Sequence, residues 1–242
     1  MSIVDSRPTV TVAAIVRQTF AVLRRRAPAI SALAALLIGA PRAAALAAPQ
    51  DRGGIALGSA VLTLLLVAAL AHITAGELVG QPVSGRSAFE AGASRIGSLL
   101  LLALLSGLAE FGATALLVAP GVFLFVCWMP ASAVCVLEKR PAAASLGRAW
   151  RLTAGHRWTL TAVTVLFLVG AIALVLGGAI GGVVMLEADD RELPGRIVSS
   201  LLIGLAYAVV YSVAGVGGAV AYVLLRFAKE GPPTARVAAV FD

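Results

Sequence analysis

The chain has 242 residues, of which 60% are hydrophobic and 13% charged, and 19 basic against 12 acidic side chains leave a net charge of +7. A soluble domain carries about 25% charged residues, and half that share cannot solvate a globule of this size, so a soluble fold is excluded. The basic residues flank apolar runs and do not line one soluble face, which excludes nucleic acid as the counter-charge and points to anionic lipid headgroups.

The first 26 residues form a cytoplasmic N-terminal segment with its own helical pattern. Val12, Ile15, Val16, Phe20 and Leu23 recur on one face, and Arg17, Gln18, Arg24 and Arg25 take the other. Such a basic amphipathic helix suits an anionic membrane surface.

A transmembrane domain over residues 27–228 follows, with six candidate crossings, each near the ~20 apolar residues a bilayer needs. Span 1 runs from Ala27 to about Ala48, span 2 from Ile55 to about Ala75, and span 3 from about Ile96 to Val118. Span 4 runs from Gly121 to Leu137, span 5 from Leu160 to Leu186, and span 6 from Ile197 to Phe227. Spans 5 and 6 exceed the hydrocarbon thickness, so tilt or emerging ends are expected. Pro41 and Arg42 interrupt span 1, and Ala45-Leu46-Ala47 after the basic Arg24-Arg25-Arg26 also has the form of a signal-peptide cleavage site. A retained helix and a cleaved leader both stand as readings of that span. Spans 3 and 4 meet at Pro120-Gly121, which reads as a tight turn or a helix break. Residues 229–242 form a short cytoplasmic tail.

Two further surface segments precede span pairs. Before span 3, Ser87 and Glu90 have the form of a capping box and Arg86 with Glu90 an i,i+4 pair. Before span 5, Pro141 suits a first helical turn and Gly155 an end. There Leu146, Ala149, Trp150 and Thr153 lie to one side and Arg148 and Arg151 to another, and Trp158 suits a headgroup-level anchor. Arg26, Arg95 and Arg157 close the three segments 69 and 62 residues apart, which suggests three units of surface helix plus helical hairpin. The competing reading is that cytoplasmic loops of membrane proteins are commonly basic and amphipathic.

With the N-terminus inside and six crossings, the cytoplasmic pieces hold 15 basic residues and the outer pieces 4, namely Arg42, Arg52, Arg191 and Arg196. The positive-inside rule favours this arrangement. Arg outnumbers Lys 17 to 2 and Ala is abundant, the usage of a GC-rich bacterial genome. The expectation is therefore a multi-pass protein of a bacterial inner membrane with both termini cytoplasmic.

Gly177-x-x-x-Gly181 and Gly178-x-x-x-Gly182 in span 5, with Gly204-x-x-x-Ala208 and Gly215-x-x-x-Ala219 in span 6, allow close helix approach in lipid. They serve either packing of span 5 on span 6 or a self-association face, and so a homo-oligomer or another protein partner.

Chemistry is sparse. His72 and His156 have no metal-ligand spacing, Cys127 and Cys135 cannot bridge along one helix, and neither a phosphate-cradling loop nor a nucleophile turn occurs. No metal, cofactor or catalytic residue is expected. Glu110 is the one carboxylate inside a clean span, either a functional intramembrane site or a structural hydrogen-bonding group, and it lies about 15 Å from Pro120-Gly121 by helical rise. Glu138, Lys139 and Arg140 read as a solvated charge cluster or as a headgroup site with Arg148 and Arg151.

The stretch from Pro120 to Trp158 resembles the membrane domain found attached to some bacterial glycerophosphoryl diester phosphodiesterases and also found alone. The residues that carry the resemblance are Pro120-Gly121 opening a span, Pro130 within it and Glu138 closing it, then Arg148-x-Trp150-x-Leu152-Thr153-x-Gly155 and Trp158. Ala149 stands where that family often has a small polar residue. The phosphodiesterase activity of such proteins belongs to a separate soluble barrel, so the resemblance implies a membrane domain without esterase residues.

Two functions follow as expectations. The first is a non-enzymatic protein that organises partners or contacts anionic headgroups, with Arg24, Arg25, Arg148, Arg151 and Trp158 as the contacts. The alternative is a transporter or channel for a small or lipidic solute, using Glu110.

Overall fold

The computed structural model describes residues 9–39, 41, 52–188 and 192–231, and among them it is all helix, with no strand. In chain order the helices are α1 Val12–Arg25, α2 Ala27–Ala34, which runs into a π turn at Ala35–Gly39, α3 Arg52–Val79, α4 Gly85–Ala93 and α5 Ile96–Leu116. Then come α6 Val118–Trp128, α7 Ala131–Leu137, α8 Ala142–Thr153, α9 Arg157–Ala188 and α10 Glu192–Glu230.

Among the described residues five segments are long and apolar enough to cross a membrane: Ala56–Val79, Ile96–Leu116, Val118–Leu137, Arg157–Gly181 and Leu201–Glu230. The chain is thus a polytopic all-α membrane protein. Span 1 appears as a shorter apolar helix, Ala27–Ile38. Those twelve residues rise ~18 Å, and the rest of span 1, from 42 to 48, lies outside the described residues. The proposed cleavage site at Ala45-Leu46-Ala47 lies outside the described residues.

Local chemistry sets the breaks. The turn between α5 and α6 falls at Leu117 and not at Pro120-Gly121. Leu117 is extended (φ −159°, ψ 140°) and caps α6, so Pro120 sits in the first turn of that helix, where a missing N–H costs nothing. Gly121 is needed for a different reason. A Cβ there would lie 1.9 Å from Thr114 Oγ1 and 3.0 Å from Thr114 Cα, so only glycine lets α6 return beside α5. Pro130 then splits span 4 into α6 and α7, because it offers no N–H to the preceding turn. Just before this break the Cys127 carbonyl accepts from the Thr153 hydroxyl at 3.3 Å.

The short helices also differ in detail from the sequence reading. Thr11 caps α1, and its buried residues are Ile15, Thr19 and Val22, while Phe20 faces outward. In α4 the cap is Ser84, whose hydroxyl accepts from Ser87 N–H at 3.2 Å, and Glu90 pairs with Arg86 instead of closing a capping box. Pro141 sits just before α8 in an extended conformation, one position earlier than a first helical turn. Gly155 ends that element with φ +88°, a backbone state that glycine reaches without strain. α8 buries Ala142, Ser145, Ala149, Leu152 and Thr153 against α5 and α7, which leaves Trp150 partly outside.

The core lies at one end of the bundle. There the last third of α10, including Val216, Val220, Tyr222, Leu224 and Leu225, is buried against Ile15 and Val22 of α1, Leu66 and Leu70 of α3, and Val134 of α7. Glycines make this possible. A Cβ on Gly217 would meet the Phe167 ring at 2.5 Å, and one on Gly215 would meet Leu70 at 3.0 Å. Elsewhere α5 and α9 present bare apolar faces, such as Leu104, Leu108 and Phe111, and Leu168, Ile172 and Leu176. In water those faces would be untenable together; in hydrocarbon they have no solvation cost.

Candidate functional site

The packed end is also the basic end. Chain connectivity and ion pairs bring to it the close of α3, the start of α5, the close of α7, the start of α9 and the close of α10, together with α1, α4 and α8. Glu77, near the end of α3, accepts from Arg26 Nε at 2.7 Å and lies 3.6 Å from Arg25, which ties the α1–α2 joint to the bundle.

A second set of charges forms a closed ring. Glu138, at the end of α7, has a side chain only 9% exposed. It accepts from Arg148 Nε at 3.2 Å, from Arg140 Nε at 2.7 Å and from the Tyr222 hydroxyl at 3.0 Å. Arg148 also donates to Glu230, Glu230 accepts from Arg226 Nε at 3.0 Å, and Arg226 donates to the Tyr222 hydroxyl at 2.9 Å. Burial disfavours charge on Arg148, but the Glu230 and Glu138 carboxylates outweigh it and hold that guanidinium above the usual arginine range. Lys139, left-handed at φ 52°, makes the turn that sends Arg140 back onto Glu138. Glu138 is therefore a partly buried structural joint between α7, α8 and α10, while Lys139 and Arg140 beside it are exposed.

A third arrangement sits where α8 meets α9. The Arg157 guanidinium lies 4.4 Å from the Trp150 ring centroid and 5.0 Å from that of Phe123, and those two rings meet edge to face at 5.7 Å. Lys229 donates to the Arg151 carbonyl at 2.5 Å beside it.

Of the headgroup contacts named from the sequence, Arg24, Arg25, Arg151 and Trp158 are exposed, Trp158 at 88%. Arg148 is not available in the same way, since two carboxylates hold it. Glu110 stands apart on α5, about 10 Å along the helix from the Leu117 turn by its rise per residue. Its backbone carbonyl accepts from Thr114, and its carboxylate has no hydrogen-bond or ion-pair partner among the described residues. Gly178 and Gly181 face Leu202 and Ala206 of α10, whereas a Cβ on Gly177 would touch nothing within 4 Å, and the surroundings of Gly182 lie outside what is described. Cys127 and Cys135 are free and buried on separate helices. Among the described residues no group of three or more His, Cys, Asp or Glu could hold a metal ion.

Tyr222, Arg226 and Glu230 were not singled out from the sequence, though their i, i+4, i+8 spacing on the last turns of a span was a readable signal. Glu77 and Arg157 gave no such signal.

The fold and site define a polytopic helical membrane protein whose packed end is laced by partly buried ion pairs. No protein-family model matches the chain, and comparisons with curated proteins and with solved structures find no match.

Proposed function

We propose that this chain is a non-enzymatic protein of a bacterial inner membrane, with span 1 as a sixth crossing and both ends cytoplasmic, whose basic end rests on anionic lipid headgroups and serves as a platform for partners. The observation that carries the reading is the gathering of α1, α4 and α8 at one end, with Arg17, Arg24, Arg86 and Arg151 exposed there. Counted over six crossings, the 15 to 4 distribution of basic residues favours a cytoplasmic position for that end. The resemblance of Pro120–Trp158 to the membrane domain of glycerophosphoryl diester phosphodiesterases fits a membrane role without chemistry of its own. A solute pathway through Glu110 is the second reading; it would need further polar groups around that carboxylate, and none bonds to it among the described residues.

The test is the lipid that stays with the protein. Native mass spectrometry of protein extracted in mild detergent is expected to show bound anionic phospholipid. Combined Arg17→Ala, Arg24→Ala and Arg151→Ala should reduce it, by about five-fold per arginine, since each basic side chain near an anionic surface contributes ~1 kcal/mol. An unchanged lipid profile in the triple variant contradicts the reading.

A further inference from the structure

Arg157 differs from three half-buried arginines of the basic end. Arg26, Arg148 and Arg226 each hold a carboxylate. Arg157 holds none among the described residues. Its flat cation is fixed by the faces of Trp150 and Phe123, an attraction that leaves its N–H donors unused. Its Nε is buried with no acceptor among the described residues. A buried donor without an acceptor is destabilising, so the site is incomplete as it stands.

The surroundings specify what would complete it. The positive charges of Arg148 and Arg157 both act on Lys229, and the exposed Arg151 adjoins Lys229 through its carbonyl. The carboxylates that pair with Arg148, Glu138 and Glu230, are already engaged in the ring. Positive charge is therefore in local excess, which calls for an anion. The same corner is bordered by exposed apolar rings, Phe123 of α6 and Trp158, next in the chain to Arg157. A free anion would leave those rings bare, whereas an anion carrying hydrocarbon chains matches both halves of the site. A guanidinium held flat is also the donor best matched to phosphate oxygens.

We propose that the corner between α6, α8 and α9 binds the phosphate of one anionic phospholipid, with Arg157 as the donor, Arg151 and Lys229 beside it, and the acyl chains along the exposed face of α6. This rests on the headgroup-contacting reading above and narrows it to one site and one lipid class.

The chain's three tryptophans, Trp128, Trp150 and Trp158, all lie in or next to these elements, so their fluorescence reports on the site. The whole protein is reconstituted in phosphatidylcholine vesicles doped with brominated phosphatidylglycerol or, separately, brominated phosphatidylcholine. The brominated anionic lipid is expected to quench well beyond its bulk share, and Arg157→Gln to lower that preference by about five-fold. Arg157→Gln with wild-type preference overturns the site. If that variant fails to fold, the wild type decides: in detergent, short-chain phosphatidylglycerol should displace the quencher where short-chain phosphatidylcholine does not, and equal displacement overturns the proposal. Displacement by inorganic phosphate alone identifies a free-phosphate site and overturns the lipid assignment. Loss of bound lipid in the Arg17, Arg24 and Arg151 variant without any effect of Arg157→Gln would remove this site and leave the general reading intact; no effect in either would remove both.

Discussion

Glu138 shows how a single side chain can join parts of the chain that sequence leaves unrelated. Tyr222, its partner, lies 84 residues away. A carboxylate next to Lys139 and Arg140 has the pattern of a solvated charge run, and nothing in the local sequence says which arginine or tyrosine will face it. What could be read was the residue's place at the end of an apolar span. The ring also has a measurable consequence. Removing one member of a buried pair leaves its partner uncompensated, at about 3–5 kcal/mol, whereas an exposed i,i+4 pair contributes ~0.5 kcal/mol or less. Glu138→Ala is therefore expected to lower stability by about 3 kcal/mol, read as a drop in unfolding midpoint in mild detergent. Glu90→Ala, which removes the exposed Arg86 pair, should sit within error of the wild type. Equal midpoints for the two variants would count against a buried ring.

At the scale of elements, hydropathy located the five crossings well because length and greasiness are local properties. Breaks and faces are not. Leu117 marks the α5–α6 turn through an extended backbone that no leucine advertises, while Pro120-Gly121 looks like the turn and lies inside the helix. Glycine pairs likewise announce close packing without saying against what. Gly178 meets Ala206 and the Leu202 carbonyl, and its neighbour Gly177 faces open space; the difference is one step around the helix. Gly178→Leu should then separate α9 from α10 and cost about 1–3 kcal/mol by overpacking, and Gly177→Leu should be tolerated. The reverse order in thermal unfolding would mean that α9 packs through its other face. Similarly, the basic stripes on α1 and α8 were legible, but which arginine stays exposed and which turns inward depends on a neighbouring helix.

For the molecule as a whole, two features belong together: broad apolar faces on α5 and α9, and a packed end where charge is concentrated. In this arrangement the bilayer covers the faces and the charged end meets the headgroups, so the ends of α3, α7 and α10 and the starts of α5 and α9 share one side. Cysteine labelling measures this directly. With Cys127 and Cys135, both buried, replaced by alanine, single cysteines at Ser94, Ala154 and Ala228 are placed at the basic end and one at Leu117 at the α5–α6 turn. Membrane-impermeant maleimide applied to right-side-out and inverted membrane vesicles should label the first three only from the cytoplasmic face and Leu117→Cys only from the other. Labelling of Ser94→Cys, Ala154→Cys and Ala228→Cys from different faces would contradict a single basic end and the crossings that produce it.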